Sequence, residues 1–311
     1  MLDQSPIAEG STGSRALRNT LELARLADER GYHRYWVAEH HGGPMLAGTS
    51  PEALIGPIAA TTSHLRVGSG GVMLPHYSPY KVAETFSMLS GLFPGRIDLG
   101  LGRTDGTDDP VTAFALQRDR NHPAPDDFPE QLTELLAYID GGLPADHLFA
   151  PLVPVLPGRP DAPEPWLLGS SAQSAVWAAQ LGLPYAFGDF INPGGGVDVV
   201  NLYRERFVAS QRLPAPRVAV AVWALCADSD DEADFASRFV ERRTRGGGSQ
   251  LTRHKRMVCG SATTVRASLE RLADDYGAEE LLVVAVTHEH EARLRSYELL
   301  AEDFAGAGTP S

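Results

Sequence analysis

The chain has 311 residues, 43% of them hydrophobic, and a formal charge of −13. That length buries a large core in one domain, here read as spanning residues 1–311. The acidic balance and the lack of any Lys/Arg block argue against a nucleic-acid or anionic-membrane surface, since both need concentrated positive charge.

Nothing in the sequence approaches the roughly 18 apolar residues of a membrane helix, and no charged stretch followed by an apolar run opens the chain, so a soluble cytoplasmic protein is expected. Cys226 and Cys259 stand apart in apolar surroundings and are expected to be reduced packing residues. Short apolar runs without alternation, as in strands buried on both faces, take turns with helical periodicity along the chain. In order, the pattern predicts a strand over 1–4, a helix over 15–30 stopped by Gly31, a strand over 34–37, a helix over 51–62 and a strand over 65–73. It continues with a helix over 79–90, a strand over 97–102, a helix over 127–140, a strand over 166–169, and a helix over 171–181 stopped by Gly182. A strand over 184–188, a helix over 197–210, a strand over 217–226, helices over 230–243 and 262–276, a strand over 279–286 and a helix over 290–304 complete the series. Ser50-Pro51 and Ser78-Pro79 supply a cap followed by proline at the first helical position. Eight strands alternating with helices predict an α/β fold, a closed (β/α)8 TIM barrel. The first strand is short, because only Met1 and Leu2 precede Asp3-Gln4-Ser5. The proline-rich stretch 141–165 and the glycine-rich, basic stretch 244–256 read as long loop excursions at the mouth.

In such a barrel the C-terminal strand ends converge on one mouth, and polar residues stand at four of them. Glu39-His40-His41 follows the second strand: an imidazole serves as general base or acid near neutrality, and Glu39 can fix its tautomer or ring orientation, although taken alone such a cluster is more often a loop of solvated side chains or a strand-end histidine satisfied by the backbone. Gly68-Ser69-Gly70-Gly71 interrupts the third strand and marks either a packing bulge or the close approach of a flat ligand. Gly102 and Arg103 end the fourth, where a guanidinium beside bare backbone suits a phosphate; ion pairs to Asp105, Asp108 or Asp109 compete with that reading. Ser170, Ser171 and Ser174 open a helix whose N-terminus favours an anion, against simple N-capping. His288-Glu289-His290 is read as a solvated helix entry, and no metal-binding spacing is present.

Four stretches, LADERGYHRYWVAEHH (26–41), LRVGSGGVMLPHYSPYKVAETFSML (65–89), FPGRIDLGLGRTDGTD (93–108) and PWLLGSSAQSAVWAAQLGLP (165–184), together resemble the bacterial luciferase-like family of flavin-dependent monooxygenases. The resemblance implies a luciferase-type TIM barrel in which His40 is the catalytic histidine with Glu39 and His41 beside it. It implies a non-prolyl cis peptide at Gly70-Gly71 against the flavin ring, and a flavin phosphate held by Arg103 and by the turn carrying Ser170, Ser171 and Ser174. The implied activity is oxygenation of a small organic substrate by O2 with reduced FMN from a separate flavin reductase, in a homodimer formed through helices near 50–90. Hydride transfer with a deazaflavin coenzyme is the alternative, for which Arg245, Arg253, Lys255 and Arg256 would supply positive charge; a non-catalytic flavin-binding protein is another. Residues 105–130 and 244–256 lack the extended loop of the light-emitting subunit, so light emission is not expected. Phe114, Phe149, Tyr185 and Phe190 are candidates for an apolar pocket, with core packing as the equal alternative.

Overall fold

The computed structural model describes residues 1–122, 125–192, 194–233 and 257–306. Its centre is a parallel sheet built from β1 (Leu2–Asp3), β2 (Arg34–Val37), β3 (Arg66–Met73), β4 (Ile97–Gly102), β5 (Glu164–Gly169), β6 (Tyr185–Gly188), β7 (Val218–Ala227), β8 (Met257–Ser261) and β9 (Glu280–Val284). Strands β1 to β8 are neighbours in chain order. β7 is long enough to serve two partners: Ala219–Trp223 pairs with β9 and Trp223–Ala227 with β8. β9 in turn touches β1, in the arrangement of the expected TIM barrel.

Around the sheet run α1 (Gly13–Glu29), α2 (Pro51–Ala60), α3 (Pro79–Leu92), α4 (Pro110–Leu116), α5 (Phe128–Asp140), α6 (Ala172–Gln180), α7 (Gly196–Arg206), α8 (Ala262–Tyr276) and α9 (His290–Gly306). Alternation along each strand sorts its side chains. Tyr35, Val37, Leu99, Leu101 and Phe187 face the helices and join the main core. Leu2, Trp36, Ala38, Trp166, Ala186, Ala219, Ala221, Trp223, Leu282 and Val284 face the barrel interior and form a second cluster.

Most expected elements lie where the pattern put them, and the exceptions have local causes. β8 was not anticipated, because Met257-Val258-Cys259 is a short apolar run that ends at once in Gly260-Ser261. α4 was not anticipated either; it buries no residue and is held by its cap, Asp109, which accepts the N–H groups of Val111 and Thr112. The helix expected over 197–210 ends at Arg206, because the Val208 N–H turns aside to the Ala179 carbonyl at 2.9 Å. α2 and α3 do begin at Pro51 and Pro79, but neither Ser50 nor Ser78 makes a side-chain capping bond. Gly31 (φ 75°) and Gly182 (φ 59°) adopt the left-handed conformation expected of helix stops. A helical turn begins at Asp230, while the rest of the helix expected over 230–243 and the excursion 244–256 lie outside the described residues. Cys226 is buried, and burial pushes its thiol up to about 12; neither cysteine forms a disulfide.

The N-terminal strand ends are tied by charge. Asp98, fully buried on β4, accepts Arg34 from β2, Arg66 from β3 at 2.5 Å, and the Trp36 indole N–H at 2.9 Å. Arg34 continues to Glu280 on β9 at 2.6 Å. Burial disfavours the Arg34 charge, but Asp98 and Glu280 outweigh it and raise its pKa. A 430 Å³ cavity at this end is lined by Arg34, Arg66 and Arg217 against Glu164, Glu279 and Glu280, with His33. Its charges are largely paired with one another, so the cavity is part of the electrostatic closure of the barrel floor. Asp98→Asn should destabilise the chain by about 3–5 kcal/mol in urea denaturation, because it leaves the buried Arg34 and the half-buried Arg66 without their shared anion.

Candidate functional site

The polar stations expected from sequence stand at the opposite, C-terminal ends of β2, β3, β4 and β5. After β2 the chain runs through Ala38, Glu39 and His40, and the His40 N–H bonds the Gly48 carbonyl at 2.8 Å. His40 Nδ1 is buried without a hydrogen-bond partner. Burial, and then the adjacent His41, push the His40 pKa down to about 4 against the opposing pull of Glu39. The imidazole is therefore neutral at pH 7 and holds an unused nitrogen inside the barrel.

Glu39 does not orient His40, as the sequence suggested. Its carboxylate is completely buried and accepts His41 Nε2 at 2.8 Å, the Tyr77 hydroxyl at 2.8 Å and the Met73 N–H at 3.0 Å. One side chain thus ties the loop after β2 to the end of β3 and the turn after it. His41 is also held by the Gly106 carbonyl, which accepts its N–H at 2.9 Å, and its ring meets His76 edge-on with centroids 5.8 Å apart. His76 Nε2 contacts the Asp105 carbonyl at 2.9 Å. Tyr77 was missed by sequence reasoning because it lies just before a helix start, where it read as a turn residue.

The Gly70–Gly71 peptide is cis. Here the pairing of β3 with β4 shifts between Ser69 and Val72. A Cβ on Gly71 would stand 2.8 Å from the Gly100 carbonyl oxygen, and one on Gly70 would collide with Leu2 and crowd Trp36. On these sides the protein packs too closely against both glycines to admit a side chain. Gly102 is similar, its missing Cβ replaced by the Met73 sulfur at 3.0 Å.

Arg103 is exposed, and among the described residues its guanidinium makes no ion pair; it lies over the Trp177 indole, 5.4 Å from the ring centroid. Asp109, one of its proposed partners, is occupied in capping α4. Trp177 belongs to α6, so the cation is brought to the helix that opens at Ser171. There Ser171 and Ser174 form a capping box. The Ser174 hydroxyl differs from the expected anion donor: it is turned into the fold, donating to the Ser171 carbonyl at 2.8 Å and lying 2.9 Å from the Tyr185 hydroxyl. Ser171 and Ser170 remain at the surface of the turn, and Asn192, also missed, holds the Ser170 carbonyl at 3.0 Å. The Ala172 and Gln173 N–H groups, at the first positions of α6, lack intrahelical acceptors by geometry, and Arg103 lies over Trp177 further along the same helix.

Of the aromatic candidates, Tyr185 is core, Phe190 packs on Trp223 with centroids 6.4 Å apart, and Phe114 and Phe149 are exposed. The expected solvated entry at His290 is instead buried, with Nε2 3.3 Å from Glu22 on α1. Glu39→Gln should cost about 1–3 kcal/mol in thermal or urea unfolding, since an amide offers one acceptor oxygen to three donors; Tyr77→Phe should cost about 1 kcal/mol.

The sequence pattern of the luciferase-like monooxygenase family matches residues 1–303. A luciferase-like monooxygenase of Escherichia coli is 40% identical over 96% of this chain and 94% of its own length. The N-acetyl-S-alkylcysteine monooxygenase of Bacillus subtilis is 39% identical over 94% of this chain and 86% of that protein. Among solved structures, apo-MsnO8 superposes with a TM-score of 0.87 at 42% identity, covering 100% of this chain and 98% of the other. The fold alone is shared with the FMN complex of the oxygenating constituent of 3,6-diketocamphane monooxygenase from Pseudomonas putida (TM-score 0.73, 19% identity, 98% and 97% covered). It is shared as well with an F420-dependent secondary alcohol dehydrogenase in complex with an F420-acetone adduct (TM-score 0.68, 16% identity, 92% and 94% covered). Matched over nearly its whole length by these relatives, the chain belongs to the luciferase-like monooxygenase family of flavin-dependent oxidoreductases.

Proposed function

We propose that the chain is an FMN-dependent monooxygenase that oxygenates a small organic substrate with O2, using reduced flavin from a separate reductase. The observation that carries this reading is the pairing of a charge-free His40, with Nδ1 buried and unpartnered, and an anion cradle of Arg103 and the α6 N-terminus. Bound reduced FMN would supply the activation of oxygen. Arg103, the Ser170–Ser171 turn and the Ala172 and Gln173 N–H groups would hold its phosphate. His40 would hold or pass a proton at Nδ1, and Glu39 with His41 would keep the His40 loop in place. Trp36, Trp166, Trp223 and Phe190 would exclude water from the interior.

FMN is placed before a deazaflavin coenzyme because relatives using the latter typically carry Asp-His where this chain has Glu39-His40-His41. The basic residues Arg245, Arg253, Lys255 and Arg256, which would favour a deazaflavin tail, lie outside the described residues. Among substrates, N-acetyl-S-alkylcysteines are the first to screen, as the Bacillus subtilis relative is named for them. A cytoplasmic homodimer fits the reading: no described helix is long and apolar enough to cross a membrane, and α3 exposes Met88 and Leu92.

Anaerobic titration with reduced FMN and with reduced deazaflavin decides between the cofactors, with tighter FMN binding expected. Arg103→Ala should weaken FMN by about tenfold or more and leave lumiflavin, which has no phosphate, unchanged. His40→Asn should keep FMN affinity within about threefold while turnover falls by about 100-fold or more. With its pKa lowered to about 4, His40 stays in its base form at pH 6–8 and loses it only as pH falls through that value. The acid limb of kcat/KM should therefore lie well below pH 6.5, and a limb at 6.5 would remove His40 from the proton-transfer role.

A further inference from the structure

Gln4 stands just past β1, 2% exposed, and its Oε1 is buried without a hydrogen-bond partner. Alternation decides where its side chain points. Leu2 faces the interior, in the cluster with Trp36, and is the residue a Cβ on Gly70 would strike. Asp3 faces outward, its carboxylate accepting the Tyr35 hydroxyl and Arg293, both at 2.5 Å. Gln4 therefore returns to the interior. It lies level with Ala38, whose N–H bonds the Asp3 carbonyl at 2.8 Å, and His40 follows Ala38 by two residues in the loop after β2.

Two neighbouring positions past the strand ends thus carry buried polar atoms without a hydrogen-bond partner, Gln4 Oε1 and His40 Nδ1, next to the interior residues Leu2 and Ala38. Leaving such atoms unfilled is unfavourable, and a carboxamide in an apolar wall is costly unless something pairs with it. Trp166 Nε1 is also unpartnered, but that ring is stacked with Arg34 (4.7 Å) and Arg217 (4.3 Å) toward the barrel floor. Gln4 belongs instead to the mouth, one inward step from Leu2 and Gly70.

We propose that Gln4 is a ligand-binding residue of the barrel mouth, whose carboxamide pairs with an amide-type N–H/C=O edge held between Gly70-Gly71 and His40. A carboxamide offers one donor and one acceptor side by side and is complementary to a group of the same kind. Two sources present that chemistry, the pyrimidine edge of a flavin ring and an amide carried by the substrate; the first rests on the flavin reading above.

The test uses the full chain with Gln4→Leu and with Gln4→Met, the latter matching the length of the side chain, each checked for native near-ultraviolet circular dichroism. One arm titrates reduced FMN and reduced lumiflavin anaerobically; the other follows tryptophan fluorescence on addition of N-benzylacetamide. Both variants should bind about tenfold more weakly in one arm, the effect of one buried hydrogen bond. Equal losses for FMN and lumiflavin would assign the cofactor ring, and a loss confined to N-benzylacetamide would assign the substrate. Wild-type affinity in both arms would overturn the proposal and leave Gln4 satisfied by a buried water. If the wild-type chain bound the amide but no flavin, the flavin reading would fail while the amide arm still judged Gln4; binding of neither probe would overturn both.

Discussion

The buried carboxylate of Asp98 is the constraint on which the rest of the barrel depends. It holds guanidinium groups from β2 and β3 at the start of β4, and through Arg34 the network reaches Glu280 on β9. Such a network has modest net stability, since desolvating the charges consumes much of their attraction. Its value is geometric: a partner out of place leaves a buried charge alone, so the strands are fixed in one register. A one-residue slip would invert the faces of a strand, moving His40 out of the interior and Glu39 into it.

A second buried carboxylate, Glu39, does for the mouth what Asp98 does for the floor. Its three donors come from three segments that meet only in the folded chain. By engaging His41 it separates two adjacent imidazoles into different tasks. His41 is a brace; His40, left with an unpartnered Nδ1 and driven toward neutrality by burial, is the group proposed above for proton transfer. Environment rather than residue type distinguishes them.

The barrel and its stations were legible because they depend on local pattern. Unalternating apolar runs marked β2, β4 and β6, and Gly31 and Gly182 marked helix ends. What escaped depended on tertiary partners. β8 exists because β7 extends past β9 and offers it an edge, a fact about the sheet and not about Met257–Ser261. Ser174 looked like an anion donor until Tyr185 and the capping box claimed its hydroxyl. Gln4 obeyed the rule that singled out Arg103 and Ser170, a polar residue at a strand end, but its strand was too short to give that rule weight.

The interior explains why so few polar groups matter. Barrels are commonly filled by layers of branched aliphatic side chains, whereas here the inward positions are small residues around a few large rings. Trp36 and Trp166 meet edge to face at 5.3 Å, and the cations of the floor lie against them, so the rings belong to the closed end. Toward the mouth the small positions admit neighbours: Leu2 lies against Gly70, Met73 against Gly102 and Ile191 against Gly188. The wall that results is apolar, and Gln4, His40, Arg103 and Ser170 are its directional groups. In the proposed function a ligand entering there would be gripped along its body by contact area, which discriminates weakly, and at its polar ends by hydrogen bonds, which discriminate strongly. On the proposed reading, selectivity in this barrel resides in the placement of those few atoms.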